Sequence, residues 1–299
     1  MWGYAMNRLS LSTRGQMVGL LVEGNSLRAV SRLADVSINT VTKLLIDLGT
    51  ACSEFQDKVL RDLPCKRVQC DEIWSFCYSK ERNVAPEDKG ILGHGDVYTW
   101  TAIDADTKLA ISWLVGRRDA YYAEAFIDDL ASRLAGRIQL TSDGHGPYIA
   151  AIEKAFGGAV DYAMLVKIYG NEGQTKQEQR RYSPADVTGA DKRRISGNPD
   201  VAHVSTSYVE RQNLTMRMSM RRFTRLTNGF SKKIENLEHA VALHFMHYNF
   251  CRIHKSLRVT PAMEAGIAKH VWSLEEIAGL VDVGQKPKKR GSYKIKNSN

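Results

Sequence analysis

The sequence predicts an α/β protein: a mixed five-stranded sheet with helices, preceded by an all-α unit. Three observations predict it. The first fifty residues carry helical apolar spacing interrupted twice by capping signals. From Arg67 onward, short β-rich runs alternate with helical periods. The composition, 43% hydrophobic and 25% charged over 299 residues, is that of an ordinary globular chain long enough for two or three structural units.

The all-α unit spans 8–50. Residues 11–23 form its first helix, ended at Gly24-Asn25. Ser26 caps a second, running to about Ala34. After the turn Asp35-Val36-Ser37, Ser37 caps a third, Ile38 to Leu48, which Gly49 ends. Val30, Leu33, Val36, Ile38, Val41, Leu44 and Leu45 supply a small shared core. The turn RLADVSINTV and the polar residues Asn39, Thr40, Thr42 and Lys43 at the start of the third helix fit a helix-turn-helix whose side chains face base edges. Residues 51–66 read as a linker helix ending near Pro64.

The second unit spans 67–250. RVQCDEIWSFCY (67–78), VYTWTAI (97–103) and AISWLV (110–115) read as three antiparallel strands, the last two joined by the turn Asp104–Thr107. A helix follows over 120–134, then a strand at 137–141, a helix at 147–156 and a strand at 160–167. The order β-β-β-α-β-α-β is ribonuclease H-like. Residues 168–200 are polar and read as a loop or insertion. Helices are expected over 208–225 and 234–249. A C-terminal extension, 251–299, ends in QKPKKRGSYKIKNSN, with six basic and no acidic residues, expected to be disordered in isolation.

Charge and cysteines bound the function. A net charge of +9 favours a polyanionic partner. No apolar run is long enough to span a bilayer, and the N-terminus lacks the pattern of a secretory signal. Five cysteines without CxxC spacing argue against a disulfide framework and a standard zinc finger.

Three carboxylates stand out. Asp71 sits in the middle of a strand, where a charge is costly without a task. Asp143, in TSDGHGPY, lies just past a strand end and beside glycines. Glu210, in STSYVERQN, opens a helix. In the expected topology the strands of Asp71 and Asp143 are neighbours and the later helix crosses them, so the three can meet. Oxygen donors of this kind suit Mg²⁺ or Mn²⁺, and two ions about 3.5–4 Å apart can drive an in-line displacement at phosphorus. Glu72 competes with Asp71, and because adjacent strand residues face opposite sides, only one is expected at the site. His145 lies near enough to touch a substrate.

CDEIWSF, TSDGHGPY and YVERQNLTMRMSMRRFTRLTNGFSK resemble, in that order, blocks of the IS1-family insertion-sequence transposases. HYNFCRIHKSLRVTPAMEA resembles the stretch that follows the catalytic Glu in many DDE transposases and integrases. The likeness covers roughly residues 10 to 265. It implies a DDE triad of Asp71, Asp143 and Glu210, a ribonuclease H-like fold, Mg²⁺ dependence and action on terminal inverted repeats. It places Arg211 and Asn213 in the family's ERxN signature. Many members carry a zinc-finger module ahead of the helix-turn-helix, whereas this sequence begins almost directly at the latter.

Seven basic residues and no acidic one lie between Arg211 and Lys233. Arg217, Arg221 and Arg225 recur every fourth position and predict a helical stripe for phosphates, with Arg222 beside it. The expected function is a DDE transposase that cleaves transposon ends and transfers strands into target DNA. The expected partners are double-stranded DNA and a second copy of the chain, in a bacterial, nucleoid-associated setting and without a membrane. The rivals are a non-catalytic DNA-binding regulator and a nuclease that does not join strands.

Overall fold

The computed structural model describes residues 9–169, 187–224 and 227–283. The basic tail from Gln285 and Arg225 lie outside the described residues. Three helices open the chain: α1 (Leu11–Val22), α2 (Leu27–Leu33) and α3 (Ile38–Val59). Ser26 and Ser37 cap α2 and α3 as expected, their side chains accepting from Ala29 N and Thr40 N. Each satisfies a backbone donor that the first turn would otherwise leave unpaired.

Helix α3 does not stop at Gly49. It runs through the expected linker as one helix of 22 residues. The glycine ends nothing because its task is steric: a Cβ there would lie 2.3 Å from His239 Cβ and 2.4 Å from His239 Cα. His239 belongs to α7 (Ile234–Phe250), and the two helices cross at this point.

The sheet has six strands: β1 (Arg67–Cys77), β2 (Gly95–Asp104), β3 (Ala110–Gly116), β4 (Ile138–Ser142), β5 (Val160–Tyr169) and β6 (Val187–Ser196), in spatial order β3-β2-β1-β4-β5-β6. β1 runs parallel to β4 and β4 to β5, while the remaining pairs are antiparallel. The expectation of five strands is thus corrected by β6, which falls inside the stretch read as a loop. Its sequence VTGADKRRIS lacks the alternation of a half-buried strand because it is an edge strand, exposed at nearly every position. At the other edge, Asn249 of α7 closes β3: its Oδ1 accepts from Ala110 N at 3.0 Å and its Nδ2 donates to Ala110 O at 2.9 Å.

Helices cover both faces. On one, α4 (Ala120–Ser132) and α5 (Pro147–Phe156) pack over Trp100, whose ring lies 5.8 Å from Phe126 and 5.5 Å from Tyr148. On the other lie α6 (Ser207–Ser219) and α7, with Phe245 stacked on Trp113 at 5.0 Å. After the short α8 (Pro261–Glu264), α9 (Leu274–Val283) returns to α1. Arg14 of α1, almost fully buried, donates to Ala278 O at 3.1 Å and pairs with both Asp282 oxygens at 2.9 and 2.8 Å. All five cysteines are free thiols. No described helix is long and apolar enough to cross a membrane.

Candidate active site

β1 is longer than β4. Their pairing ends at Cys70↔Ser142, and β1 continues along β2 alone on its other flank. Beyond that point the β4 side of β1 is open, and the loop after β4 turns Asp143 into the gap. Asp71 and Glu72 are the next two residues of β1. Carboxylate oxygens of Asp71, Glu72 and Asp143 all lie within 4.8 Å of one another.

Bringing Glu72 into the cluster overturns the expectation that only one of the adjacent pair reaches the site. Side chains do alternate across a strand, and Asp71 faces α6 while Glu72 faces α5. Past the end of β4, however, no neighbouring strand separates the two faces, and both carboxyls turn toward Asp143. Glu72 is deeply placed, its side chain 1% exposed.

Each carboxylate is held by named partners. Asp71 Oδ1 accepts from Glu72 N at 2.9 Å and Oδ2 accepts from Asn213 Nδ2 at 2.8 Å. Arg118, just before α4, bridges the other two: Nε donates to Glu72 Oε2 at 3.1 Å and Nη2 to Asp143 Oδ2 at 3.3 Å. Asp143 Oδ1 also accepts from His145 N at 3.0 Å. Glu72 Oε1 is buried near the Tyr148 hydroxyl without a hydrogen bond of normal geometry.

Burial, then the neighbouring Asp143 and Glu72 charges, push the Asp71 carboxyl up to about 7. Burial and Asp143 push Glu72 up to about 7 as well, against the opposing pull of Arg118. Clustered acids with depressed acidity and an unsatisfied carboxylate oxygen fit a hard divalent cation. Such an ion takes oxygen donors and would relieve the repulsion.

Glu210 reaches the same cleft from the first turn of α6. It accepts from Lys167 Nζ of β5 at 2.6 Å and from Thr206 Oγ1 at 2.5 Å. It stands outside the tight group of three, but Asp71, Glu72, Asp143 and Glu210 line one open cavity of about 750 Å³ together with Arg118, His145 and Lys167. A Cβ on Gly146 would meet nothing within 4 Å, so the cleft is open beside it. His145 is half-buried and its pKa is lowered, by burial first and then by Arg118, which favours the neutral ring.

Two residues fix the geometry, Gln69, which the sequence did not single out, and Asn213, which it did. Gln69, two positions before Asp71 on β1, accepts with Oε1 from Tyr208 N at 2.8 Å and Val209 N at 3.2 Å. It thereby satisfies two of the orphan donors at the start of α6 and pins Glu210 over the sheet. Asn213 lies one turn after Glu210, on the same helix face. It was expected among the DNA contacts; it is 5% exposed and donates its amide to Asp71. A buried polar pair between a strand and a helix leaves no spacing signature by which it could be found.

The other expected DNA contacts are scattered. Asn39 is exposed on the first turn of α3, but Thr40 Oγ1 is hydrogen-bonded to Ser37 Oγ, Thr42 Oγ1 donates to Ile38 O, and Lys43 pairs with Asp47 at 2.5 Å. Arg211 is exposed, and Arg217 is half-buried at the cleft. Among the described residues the four-residue basic stripe is interrupted after Arg217. α6 ends at Ser219 because Met220 and Phe223, 6% and 5% exposed, bury into the core and pull the chain into an extended residue and then a 3-10 turn, Arg221–Phe223. Arg221 is exposed on that turn, while Arg222 points the other way and donates to Ser231 Oγ at 2.7 Å.

Fold and site together define an α/β protein with an acidic cleft, suited to hard divalent cations, at the open end of its central strand. No family model matches the chain, and no curated protein is similar to it. Among solved structures, the chain is similar to the Mos1 strand transfer complex (13% identity, TM-score 0.22, 54% of this chain and 59% of that one). It is similar also to the Mos1 mariner paired end complex with Mn (12%, TM-score 0.21, 52% and 58%). A third is the piggyBac transposase synaptic complex with hairpin DNA (11%, TM-score 0.39, 97% and 76%). The match spans about three fifths of the Mos1 chains' length. Likeness at this level assigns neither fold nor activity.

Proposed function

We propose that the chain is a DDE transposase of the IS1 insertion-sequence kind, built on a ribonuclease H-like sheet. It cleaves DNA at element ends and transfers the freed 3′ strand into target DNA. One observation carries the reading: Asp71, Asp143 and Glu210, remote in sequence, line a single cavity, in the chain order in which the resembling motifs occur.

Asp71 and Asp143 would hold one divalent cation, Mg²⁺ or Mn²⁺, with Glu72 as a further donor, and Glu210 would serve a second from across the cleft. When bound, such ions supply Lewis-acid activation of the attacking oxygen and charge stabilisation at phosphorus. The chain's own residues do the rest. Asn213 and the Glu72 amide fix both Asp71 oxygens. Arg118 and Lys167 bring positive charge beside the carboxylates, where a phosphodiester would lie, and His145 offers a neutral ring at the rim. The three opening helices present Asn39 at the first turn of α3, the position a helix-turn-helix uses for base edges.

The test is strand cleavage and joining with Mg²⁺ on DNA carrying the element's ends, comparing the intact protein with Asp71→Ala, Asp143→Ala and Glu210→Ala. Loss of both reactions in each variant with DNA binding intact is expected. DNA binding by the intact protein without cleavage under any divalent metal overturns the reading in favour of a non-catalytic DNA-binding protein. Cleavage without joined products leaves a nuclease.

A further inference from the structure

Beside the carboxylate cleft lies a second open groove of about 590 Å³ that the proposed chemistry does not use. It is built where β1 runs out of the sheet. Cys77 pairs in a parallel bridge with Ser231, and Tyr78 N donates to Ser231 O at 2.9 Å. This brings the segment around Phe230 against the last turns of β1. Trp74, Phe76 and Phe230 form a run of rings, with centroids 5.9 Å apart for the first pair and 4.8 Å for the second. Trp74 stands 38% exposed, and Tyr78, four residues further on, 49%.

The polar lining has one sign. Lys80, Arg82, Arg217 and Arg222 line the groove, and among the described residues no Asp or Glu does. Lys80 Nζ lies 5.9 Å from the centre of the Phe76 ring. Arg222 is half-buried, its Nε donates to Ser231 Oγ, and among the described residues no carboxylate is paired with it. Burial lowers its pKa to about 10, so it stays charged at neutral pH while lacking an anion. An enclosed cation of this kind is costly unless an anion arrives.

The groove adjoins the cleft. Arg217 lines both, and Trp74 follows Asp71 by three residues of strand, roughly 10 Å at the usual rise. That is about three base steps of a DNA strand. Exposed aromatic faces give each base a stacking platform and the surrounding cations follow its phosphates, the combination by which proteins hold unpaired strands. A second copy of the chain would itself carry the excess of positive charge and would not complement this lining.

We propose that the groove between Trp74, Phe230 and Arg222 binds unpaired nucleotides of the DNA strand that leaves the carboxylate cleft, stacking at least one base on Trp74. The proposal rests on the reading that the cleft acts on DNA. The Trp74 face selects single strands, and the cations hold them by charge.

The experiment measures binding of the full chain to fluorescein-labelled oligothymidylate and to a duplex, by anisotropy, in EDTA so that no cleavage is needed. Trp74→Ala is expected to weaken oligothymidylate binding about tenfold, the loss of one stacked base, with duplex binding unchanged. Trp74→Phe should restore most of it. Arg82→Gln should weaken both probes and flatten their salt dependence. Equal loss on both probes, or none, in Trp74→Ala overturns the proposal, as does a change of oligomeric state in sedimentation, which would assign the groove to a second copy. A protein that fails to cleave yet shows the selective Trp74 effect would sink the catalytic reading alone. One that cleaves without that effect would sink the groove alone.

Discussion

Asn213 and Asp71 are joined by a 2.8 Å hydrogen bond that crosses from α6 to β1, tying the helix that carries Glu210 to the strand that carries the clustered acids. Asn213→Ala is expected to lower cleavage about 10–100-fold, the usual cost of removing a partner that orients a metal ligand. The fold should survive by circular dichroism, and the apparent Mn²⁺ requirement should rise. Unchanged metal dependence with a lowered rate would mean that Asn213 acts elsewhere.

Gln69 holds the same helix from its start. Gln69→Leu should cost about 1 kcal/mol of stability, the value of a lost helix cap, with a proportionally larger loss of activity because Glu210 is displaced. Thermal melting read beside a cleavage assay separates the two effects. A variant that melts earlier but cleaves normally would show that α6 needs no pin.

The raised pKa values of Asp71 and Glu72 predict a pH dependence. Below about 4 both carboxyls are protonated in folded and unfolded chains, and they make no difference. Between about 4 and 7 the unfolded groups are ionised while the folded ones keep their protons. Stability of the metal-free protein therefore falls across that window and stays low above it. Asp71→Asn should raise the metal-free melting temperature at pH 8 by about 2–4 °C for each kcal/mol of repulsion relieved, with no gain at pH 4. Added Mn²⁺ should stabilise the intact protein more at pH 8 than at pH 5, because binding displaces protons. A flat pH profile would refute the shift.

Arg118 pairs with Glu72 and Asp143 at 3.1 and 3.3 Å and so competes with a cation for their oxygens. Arg118→Ala should tighten Mn²⁺ binding several-fold in calorimetry while slowing cleavage of DNA. Weaker Mn²⁺ binding would show instead that the guanidinium orients the carboxylates.

At the α3–α7 crossing, Gly49→Ala places a Cβ against His239 backbone. It should destabilise the protein by about 1–3 kcal/mol, the range for overpacking, in denaturant unfolding. A neutral effect would mean that the helices separate freely.

Much of this was legible in the sequence. Asp71, Asp143 and Glu210 stood out because charges at strand centres and strand ends need a reason, and Ser26 and Ser37 marked their helices by residue type alone. What was hidden depended on neighbours. Whether Glu72 joins Asp71 is decided by where β4 stops, not by β1. Gly49 has the same composition signal as a helix terminator, and only His239 reveals it as a contact. β6 escaped because an edge strand wet on both faces has no alternation to read, and the basic stripe is interrupted because Met220 and Phe223 outweigh the helical spacing of the arginines.

The clamp between Arg14 and Asp282 also has a meaning in time. The two residues stand 268 positions apart, so α1 waits for a partner made long afterward. Until α9 emerges, the buried guanidinium of α1 lacks its carboxylate and the opening helices lack one wall. A nascent chain can thus fold its sheet while the helical unit in front is still incomplete, and that unit closes only once the chain is made through residue 282.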